Sequence, residues 1–201
     1  MTPLDRESSP NSRSIWNIPN ALTALRILSI PFLIYLLYET PTTGDRFLAA
    51  VLFGVAFWTD FFDGMLARRM KKITRLGKVM DPMADKLMVI TALILLTHLN
   101  AVNVLVVILL VGREVVVNAL RALASAEGIA IAPSFSGRAK VFAEGFGVAI
   151  LLAGPEYHWL GLPWTALGKI LIYLAVGLAL WSAVVYFRNY SRETPSESSA
   201  S

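Results

Sequence analysis

Four aspartates in the middle of the chain have the type and spacing of a site that handles a multivalent cation. They read Asp60-x-x-Asp63-Gly64-x-x-Ala67-Arg68 and, after a basic stretch, Gly77-x-x-x-Asp81-x-x-x-Asp85. On a helix, positions i, i+3, i+4 and i+7 share a face. Asp60, Asp63, Gly64 and Ala67 therefore form one stripe, and Gly77, Asp81 and Asp85 another. The basic segment between them is long enough to reverse the chain, and two antiparallel helices then point four carboxylates into one cleft. Oxygen-only donors, with no cysteine in the chain and no suitably placed histidine, suit a hard cation such as Mg2+, Mn2+ or Ca2+. Four acidic groups serve one ion or a close pair, the arrangement that supports in-line displacement at phosphorus. Gly64, Ala67 and Gly77 clear space beside the carboxylates for a bulky ligand, although small residues also let helices pack closely. The plainer alternative for the aspartates is salt bridges to neighbouring Arg and Lys.

The elements that must carry these residues are apolar. Of 201 residues, 56% are hydrophobic and 16% charged, and the mean hydropathy is +0.60; a soluble domain carries about 25% charged residues. Ile18–Tyr38, Phe47–Leu66, Val79–His98, Val102–Leu123, Val141–Pro155 (with its flanks) and Leu167–Phe187 approach the roughly 20 residues a span requires. The expected fold is an all-α integral membrane protein of six transmembrane helices. A polar N-terminal segment (1–14) and a tail (191–201) are expected to be disordered by composition, with a catalytic domain over 15–190 between them. The first apolar run is too long for a signal-peptide core, so no cleavable signal is expected. No internal repeat is apparent.

Placement of charge sets the expected orientation. Arg68, Arg69, Lys71, Lys72, Arg75 and Lys78 fill the connection between the aspartate pairs, and Arg121, Arg138 and Lys140 flank the fourth-to-fifth connection. The alternate loops are nearly free of basic residues, so the positive-inside rule puts both termini and the Asp-rich hairpin in the cytoplasm of a multi-pass cell-membrane protein. Basic clusters pinned to a membrane face meet anionic headgroups or phosphates rather than nucleic acid. His98 and His158 fall in short loops on the opposite side, as interfacial residues.

Carboxylates and cations within hydrocarbon are costly and call for partners. A phosphorylated acceptor beside four carboxylates needs cations, and Arg26, Lys86, Arg113, Arg121, Arg138 and Lys140 are the candidates; several could instead snorkel to the headgroups. Glu114 and Glu144, also in apolar surroundings, read as partners for these cations. No competing covalent nucleophile is present: the chain has no Cys, and the motif no Ser or His. An ion-coupled transporter or channel would also carry intramembrane charge, but it calls for repeated halves or broken helices.

The joint pattern from Asp60 to Asp85 resembles the signature of the CDP-alcohol phosphotransferases, complete at every position. The resemblance implies transfer of a phosphatidyl-type group from a CDP-linked donor to an alcohol, with release of CMP. It further implies six transmembrane helices, a cytoplasm-facing site, two divalent metals (Mg2+ or Mn2+) and a homodimer. By that resemblance Asp60, Asp63, Asp81 and Asp85 ligate metal, Asp85 is also the general base, and Gly64, Ala67, Arg68 and Gly77 line the cytidine-diphosphate site. Asn17-Ile18-Pro19-Asn20-x-Leu22-Thr23-x-x-Arg26, Met80-Asp81-Pro82-x-Ala84-Asp85-Lys86-Leu87, and Arg113-Glu114-Val115 with Leu120-Arg121 are similar to the phosphatidylglycerophosphate synthase branch. That branch uses CDP-diacylglycerol and sn-glycerol 3-phosphate. The acceptor phosphate would then fall to Arg113, Arg138, Lys140, Arg121 and Arg26. Gly137-Arg138-Ala139-Lys140-Val141 keeps both charges of that branch's Gly-Lys-x-Lys-Thr and replaces its Thr. Sister enzymes with another acceptor, such as cardiolipin synthase or enzymes of inositol-phosphate or serine transfer, remain the alternatives within the family.

Overall fold

Apolar runs separated by short polar connections fold into six helices: α1 (Ile18–Leu37), α2 (Thr43–Met70), α3 (Arg75–His98), α4 (Val104–Ala126), α5 (Phe135–Ala153) and α6 (Trp164–Glu193). The computed structural model describes residues 18–70, 75–127, 135–156, 158–159 and 161–193. For 18–22, 60–70, 75–82, 135, 158–159, 162 and 192–193 it describes the backbone alone. The segments 1–14 and 194–201, where disorder was expected, lie outside the described residues, whereas α6 carries helix three residues into the expected tail. An antiparallel pair, β1 (His158–Trp159) and β2 (Leu162–Pro163), adds a small hairpin to the all-α expectation. Its turn includes Gly161 at φ 78°, a conformation that favours glycine.

Local chemistry fixes the helix starts. Asn103 caps α4, its side-chain oxygen accepting from the Leu105 amide at 2.9 Å. At α2 the Thr42 hydroxyl and amide donate to Asp45 at 2.7 and 2.9 Å, and the Asp45 amide donates back to the Thr42 hydroxyl at 3.2 Å. This reciprocal cap lies in the exposed α1–α2 connection. The Thr42 hydroxyl bond, reinforced by the Thr42 amide, holds the Asp45 carboxyl below its ordinary value.

Around the bundle the helices neighbour one another in the order α1, α2, α5, α6, α4, α3, with α3 closing on α1 and also meeting α5 across the middle. Helices α1 and α3 run parallel at a steady offset. Arg26 meets Asp85, the Ser29 hydroxyl lies 3.9 Å from the Met88 sulfur, and Tyr38 stacks on His98 with ring centroids 5.4 Å apart. His98 closes α3 and donates from Nε2 to the Tyr38 carbonyl at 2.6 Å. Helices α5 and α6 are antiparallel and close. A Cβ on Gly147 would stand 2.9 Å from the Ile172 side chain, and one on Gly168 would stand 2.7 Å from Leu151. Between the helices lies a core of Leu33, Leu37, Phe53, Met88, Leu93, Leu96, Leu110, Val148, Leu151 and Ile172.

Large apolar side chains are exposed on every helix. Leu28, Val55, Ile94, Leu105, Phe146 and Trp181, one from each helix, are exposed, whereas Thr23, Arg26, Ser29, Lys140, Glu144 and Ser182 are buried. By length and composition alone, one stretch among the described residues is apolar enough to cross a membrane: Trp164–Ser191, whose most apolar 18 residues have a mean hydropathy of 2.2. Six were expected. In α1 the apolar stretch Thr23–Leu37 is shorter than a span, and α4 and α5 carry charges, the Arg113–Glu114 pair and Lys140 with Glu144, which lower their hydropathy.

Candidate active site

Asp60, Asp63, Gly64, Ala67 and Arg68 lie on the C-terminal part of α2, and Gly77, Asp81 and Asp85 lie on the N-terminal half of α3. The two motif halves are thus carried on successive helices, with only 71–74 between them. The side chains of Asp60, Asp63 and Asp81 are not among those described, so of the four aspartates only Asp85 is seen with its side chain.

Asp85 lines a cavity of about 260 Å3 bounded by α1, α2, α3, α4 and α5. One part of its wall is charged: Arg26, Asp85, Lys86, Glu114, Lys140 and Glu144. The remainder is apolar, formed by Phe57, Met88, Val89, Ile90, Leu93, Leu110, Val111 and Val141. Helical spacing accounts for the division. Asp85, Val89 and Leu93 recur every four residues on α3, and Leu110 and Glu114 do so on α4, so each helix presents a polar group near one end of the cavity and hydrocarbon further along. Val141, which stands where the resembling branch has Thr, belongs to this wall.

Ion pairs organise the charged part. The Arg26 guanidinium pairs with the Asp85 carboxylate across α1 and α3. Lys140 pairs with Glu144 one turn along α5 at 2.6 Å. Glu114 faces three cations: Arg113 at 3.0 Å, Lys86 at 3.5 Å and Lys140 at 3.5 Å. The expectation that Glu114 and Glu144 partner the intrahelical cations matches this arrangement. Burying ions is costly unless each finds a counter-ion, and here the partners come from α3, α4 and α5.

The structure brings some of the expected acceptor cations together and holds others apart. Arg26 and Lys140 line the cavity, joined by Lys86. Arg113 stands behind it. Its Nη1 meets Glu114, its Nη2 donates to the Ser182 hydroxyl at 2.6 Å, and its Nε donates to the Ala179 carbonyl at 3.3 Å. Arg121 is exposed, its guanidinium 5.8 Å from the centroid of the Tyr186 ring on α6. Arg138 is exposed on the first turn of α5. Neither Arg121 nor Arg138 lines the cavity. Ser182 was not among the residues expected here, yet it is fixed into this charge network through Arg113.

The sequence that builds this cavity has counterparts among known proteins. A model of the CDP-alcohol phosphatidyltransferase family matches residues 16–181. The chain belongs to that family. Among curated relatives, a CDP-diacylglycerol–glycerol-3-phosphate 3-phosphatidyltransferase of Pseudomonas fluorescens is 40% identical over 178 residues, covering 86% of this chain and 89% of the relative. The enzymes of the same name from Escherichia coli K12 and Shigella flexneri are each 38% identical over 175 residues, covering 85% of this chain and 93% of theirs. For this CDP-alcohol phosphatidyltransferase the family match takes in the whole described cavity wall and stops one residue before Ser182.

Proposed function

We propose that the chain transfers the phosphatidyl group of CDP-diacylglycerol to sn-glycerol 3-phosphate, giving phosphatidylglycerophosphate and CMP. The observation that carries this reading is Asp85. It is the last carboxylate of a complete signature, and it opens onto a cavity whose wall also bears Arg26, Lys86 and Lys140. The named relatives supply the substrates, since they are glycerol-3-phosphate 3-phosphatidyltransferases.

Support for a hard divalent cation comes from the donor chemistry of the signature, four carboxylates, of which Asp85 presents its side chain to the cavity one helical turn after Asp81. Asp60, Asp63, Asp81 and Asp85 would hold Mg2+ or Mn2+, in a pair of ions. Such ions supply neutralisation of the donor pyrophosphate and of the charge that develops on CMP. Asp85 accepts the proton of the acceptor hydroxyl, whose oxygen attacks the lipid-side phosphorus as the bond to CMP breaks. Gly64, Ala67, Arg68 and Gly77 serve the cytidine-diphosphate end. Arg26, Lys86 and Lys140 attract the acceptor phosphate to a place where carboxylates alone would repel it, with Arg113 behind them and Arg121 and Arg138 at the approach. Stabilisation of developing charge dominates in phosphoryl transfer, and general-base help adds about 10²–10⁴-fold.

Apolar side chains exposed on every helix, with Arg26, Lys140 and Glu144 buried between the helices, support a multi-pass protein of six spans in the cytoplasmic membrane. Both termini and the Asp-rich end face the cytoplasm, where the basic connections lie, and the assembly is a homodimer surrounded by lipid. The deciding experiment is CMP release by the detergent-solubilised protein from CDP-diacylglycerol and Mg2+ or Mn2+, with a panel of acceptors. Release that depends on glycerol 3-phosphate, and not on inositol phosphate, serine or phosphatidylglycerol, is expected. Release with another acceptor makes the chain a sister enzyme; none with any acceptor removes the enzymatic reading.

A further inference from the structure

We propose that Glu114 is a positioning residue for the acceptor phosphate, fixed from α6 through Arg113 and Ser182, and that it sets the ammonium groups of Lys86 and Lys140 against the cavity. The inference rests on the proposed transfer to glycerol 3-phosphate and extends it to a helix that contributes nothing to the described cavity wall.

Geometry carries it. Arg113 and Glu114 are consecutive, so on α4 their side chains diverge by about 100°. Arg113 turns to α6, where Ser182 accepts from Nη2 at 2.6 Å while its own hydroxyl donates to the Ala179 carbonyl at 2.9 Å. Nε of the same guanidinium reaches that carbonyl at 3.3 Å. With both of these nitrogens committed to α6, Nη1 holds Glu114 Oε2 at 3.0 Å. The other Glu114 oxygen faces Lys86 at 3.5 Å, and Oε2 faces Lys140 at 3.5 Å. These separations are longer than the 2.6 Å of the Lys140–Glu144 pair. Lys86 is therefore held near Glu114 without being closely bound by it, and Lys140, which commits one donor to Glu144, is held near Glu114 in the same way, so that each keeps donors for an incoming anion. Ser182 is buried and Arg113 nearly so, whereas Glu114 and Lys86 are partly open to the cavity. The chain of contacts thus runs from a fixed end in α6 to an accessible end at the acceptor.

A network that only glued helices together would change stability when cut and leave substrate affinities alone. A positioning network changes acceptor affinity selectively. Ser182→Ala, Glu114→Gln and Glu114→Asp test the difference, read as KM for glycerol 3-phosphate, KM for CDP-diacylglycerol, and the rise in melting temperature that glycerol 3-phosphate produces. Glu114→Gln is expected to raise the acceptor KM by about tenfold or more, with the donor KM nearly unchanged. Glu114→Asp should recover part of the loss. Ser182→Ala should shift the acceptor KM in the same direction by a smaller factor, and combining it with Glu114→Gln should add little further, as for residues acting in one chain of contacts. Should Glu114→Gln fail to fold, Ser182→Ala decides alone. An unchanged acceptor KM in the folded variants, or equal rises for donor and acceptor, overturns the proposal. A wild-type protein that ignores glycerol 3-phosphate in both turnover and melting overturns the functional reading instead.

Discussion

The Arg26 guanidinium, buried on α1, is ion-paired with the Asp85 carboxylate on α3. That pairing depends on the parallel register of the two helices, since Ser29 with Met88 and Tyr38 with His98 continue it along the bundle. It places the proposed base beside a fixed positive charge, which both orients the carboxylate and tempers its repulsion of a phosphorylated acceptor. Asp85→Asn should therefore lose about 10²–10⁴-fold in turnover while the protein still binds CDP-diacylglycerol with metal present. Arg26→Lys keeps the charge but not the planar fork, so it should retain more activity than Arg26→Gln. Turnover measured beside a donor-binding assay checks both; loss of donor binding in Asp85→Asn would assign the residue to the donor site rather than to proton removal.

The remaining aspartates are tested as ligands. Asp60→Ala, Asp63→Ala and Asp81→Ala each remove a hard anionic donor, and turnover should drop by orders of magnitude with folding largely intact. Asn replacements leave a neutral and poorer oxygen donor, so raised Mn2+ or Mg2+ should restore part of their activity. Titrating each variant with metal is the measurement. Alanine variants that keep more than about a tenth of wild-type turnover are incompatible with oxygen ligation of a divalent ion at those positions.

Much of this arrangement can be read from the chain, and the exceptions have physical causes. Helix α1 was expected over Ile18–Tyr38 and ends at Leu37, because hydrophobic length marks a helix well. For α5 the apolar run reads as Val141–Pro155 with its flanks, and the helix begins at Phe135. Its first turns carry Arg138, which is exposed, and Lys140, which is paired with Glu114 and Glu144, and these charges interrupt the apolar run that marks the helix. Asp85 announces itself through spacing, but its pairing with Arg26 depends on the offset between two helices that are not adjacent in sequence. Ser182 carries a weak signal, a hydroxyl inside the apolar stretch Leu180–Val184. Its meaning appears only when α6 packs on α4 and brings it to Arg113.

Phe57 provides a test of how tightly the cavity wall is built. A Cβ added at Gly145 on α5 would lie within 2.7 Å of the Phe57 ring, and Phe57 lines the cavity. The ring stacks on Phe53 at 6.1 Å and meets Trp58 edge-on at 6.5 Å, so moving it loosens those contacts and pushes it into the cavity. Gly145→Ala should therefore overpack α2 against α5 and destabilise the protein by about 1–3 kcal/mol. It should also lower activity by moving Phe57 within the cavity. A second substitution, Phe57→Leu, should relieve the clash and recover stability. Melting in detergent and turnover follow the two effects separately, and an unchanged melting temperature in Gly145→Ala refutes the close contact.

The last prediction concerns orientation. Helices α1 and α3 run the same way, as do α4 and α6, where Arg113 meets Ser182, Arg121 overlies Tyr186 and Glu127 accepts from Tyr190 at 3.0 Å; α5 runs against α6. If each helix crosses the membrane once, the α1–α2 and α5–α6 connections share one side, and the α2–α3 connection lies on the other. Only the α2–α3 side is densely basic: Arg68, Arg69, Lys71, Lys72, Arg75 and Lys78 cluster there, against Arg46 and Lys169 near the connections opposite. The positive-inside rule therefore places the α2–α3 connection in the cytoplasm. A cysteine introduced between Arg69 and Arg75, in a chain that has none of its own, should resist an impermeant thiol reagent in intact cells and react once the membrane is opened. Cysteines at Pro41–Gly44 or Glu156–Leu162 should react from outside. The reverse pattern would put the aspartates on the side away from cytosolic glycerol 3-phosphate, and the proposed acceptor would lose its supply.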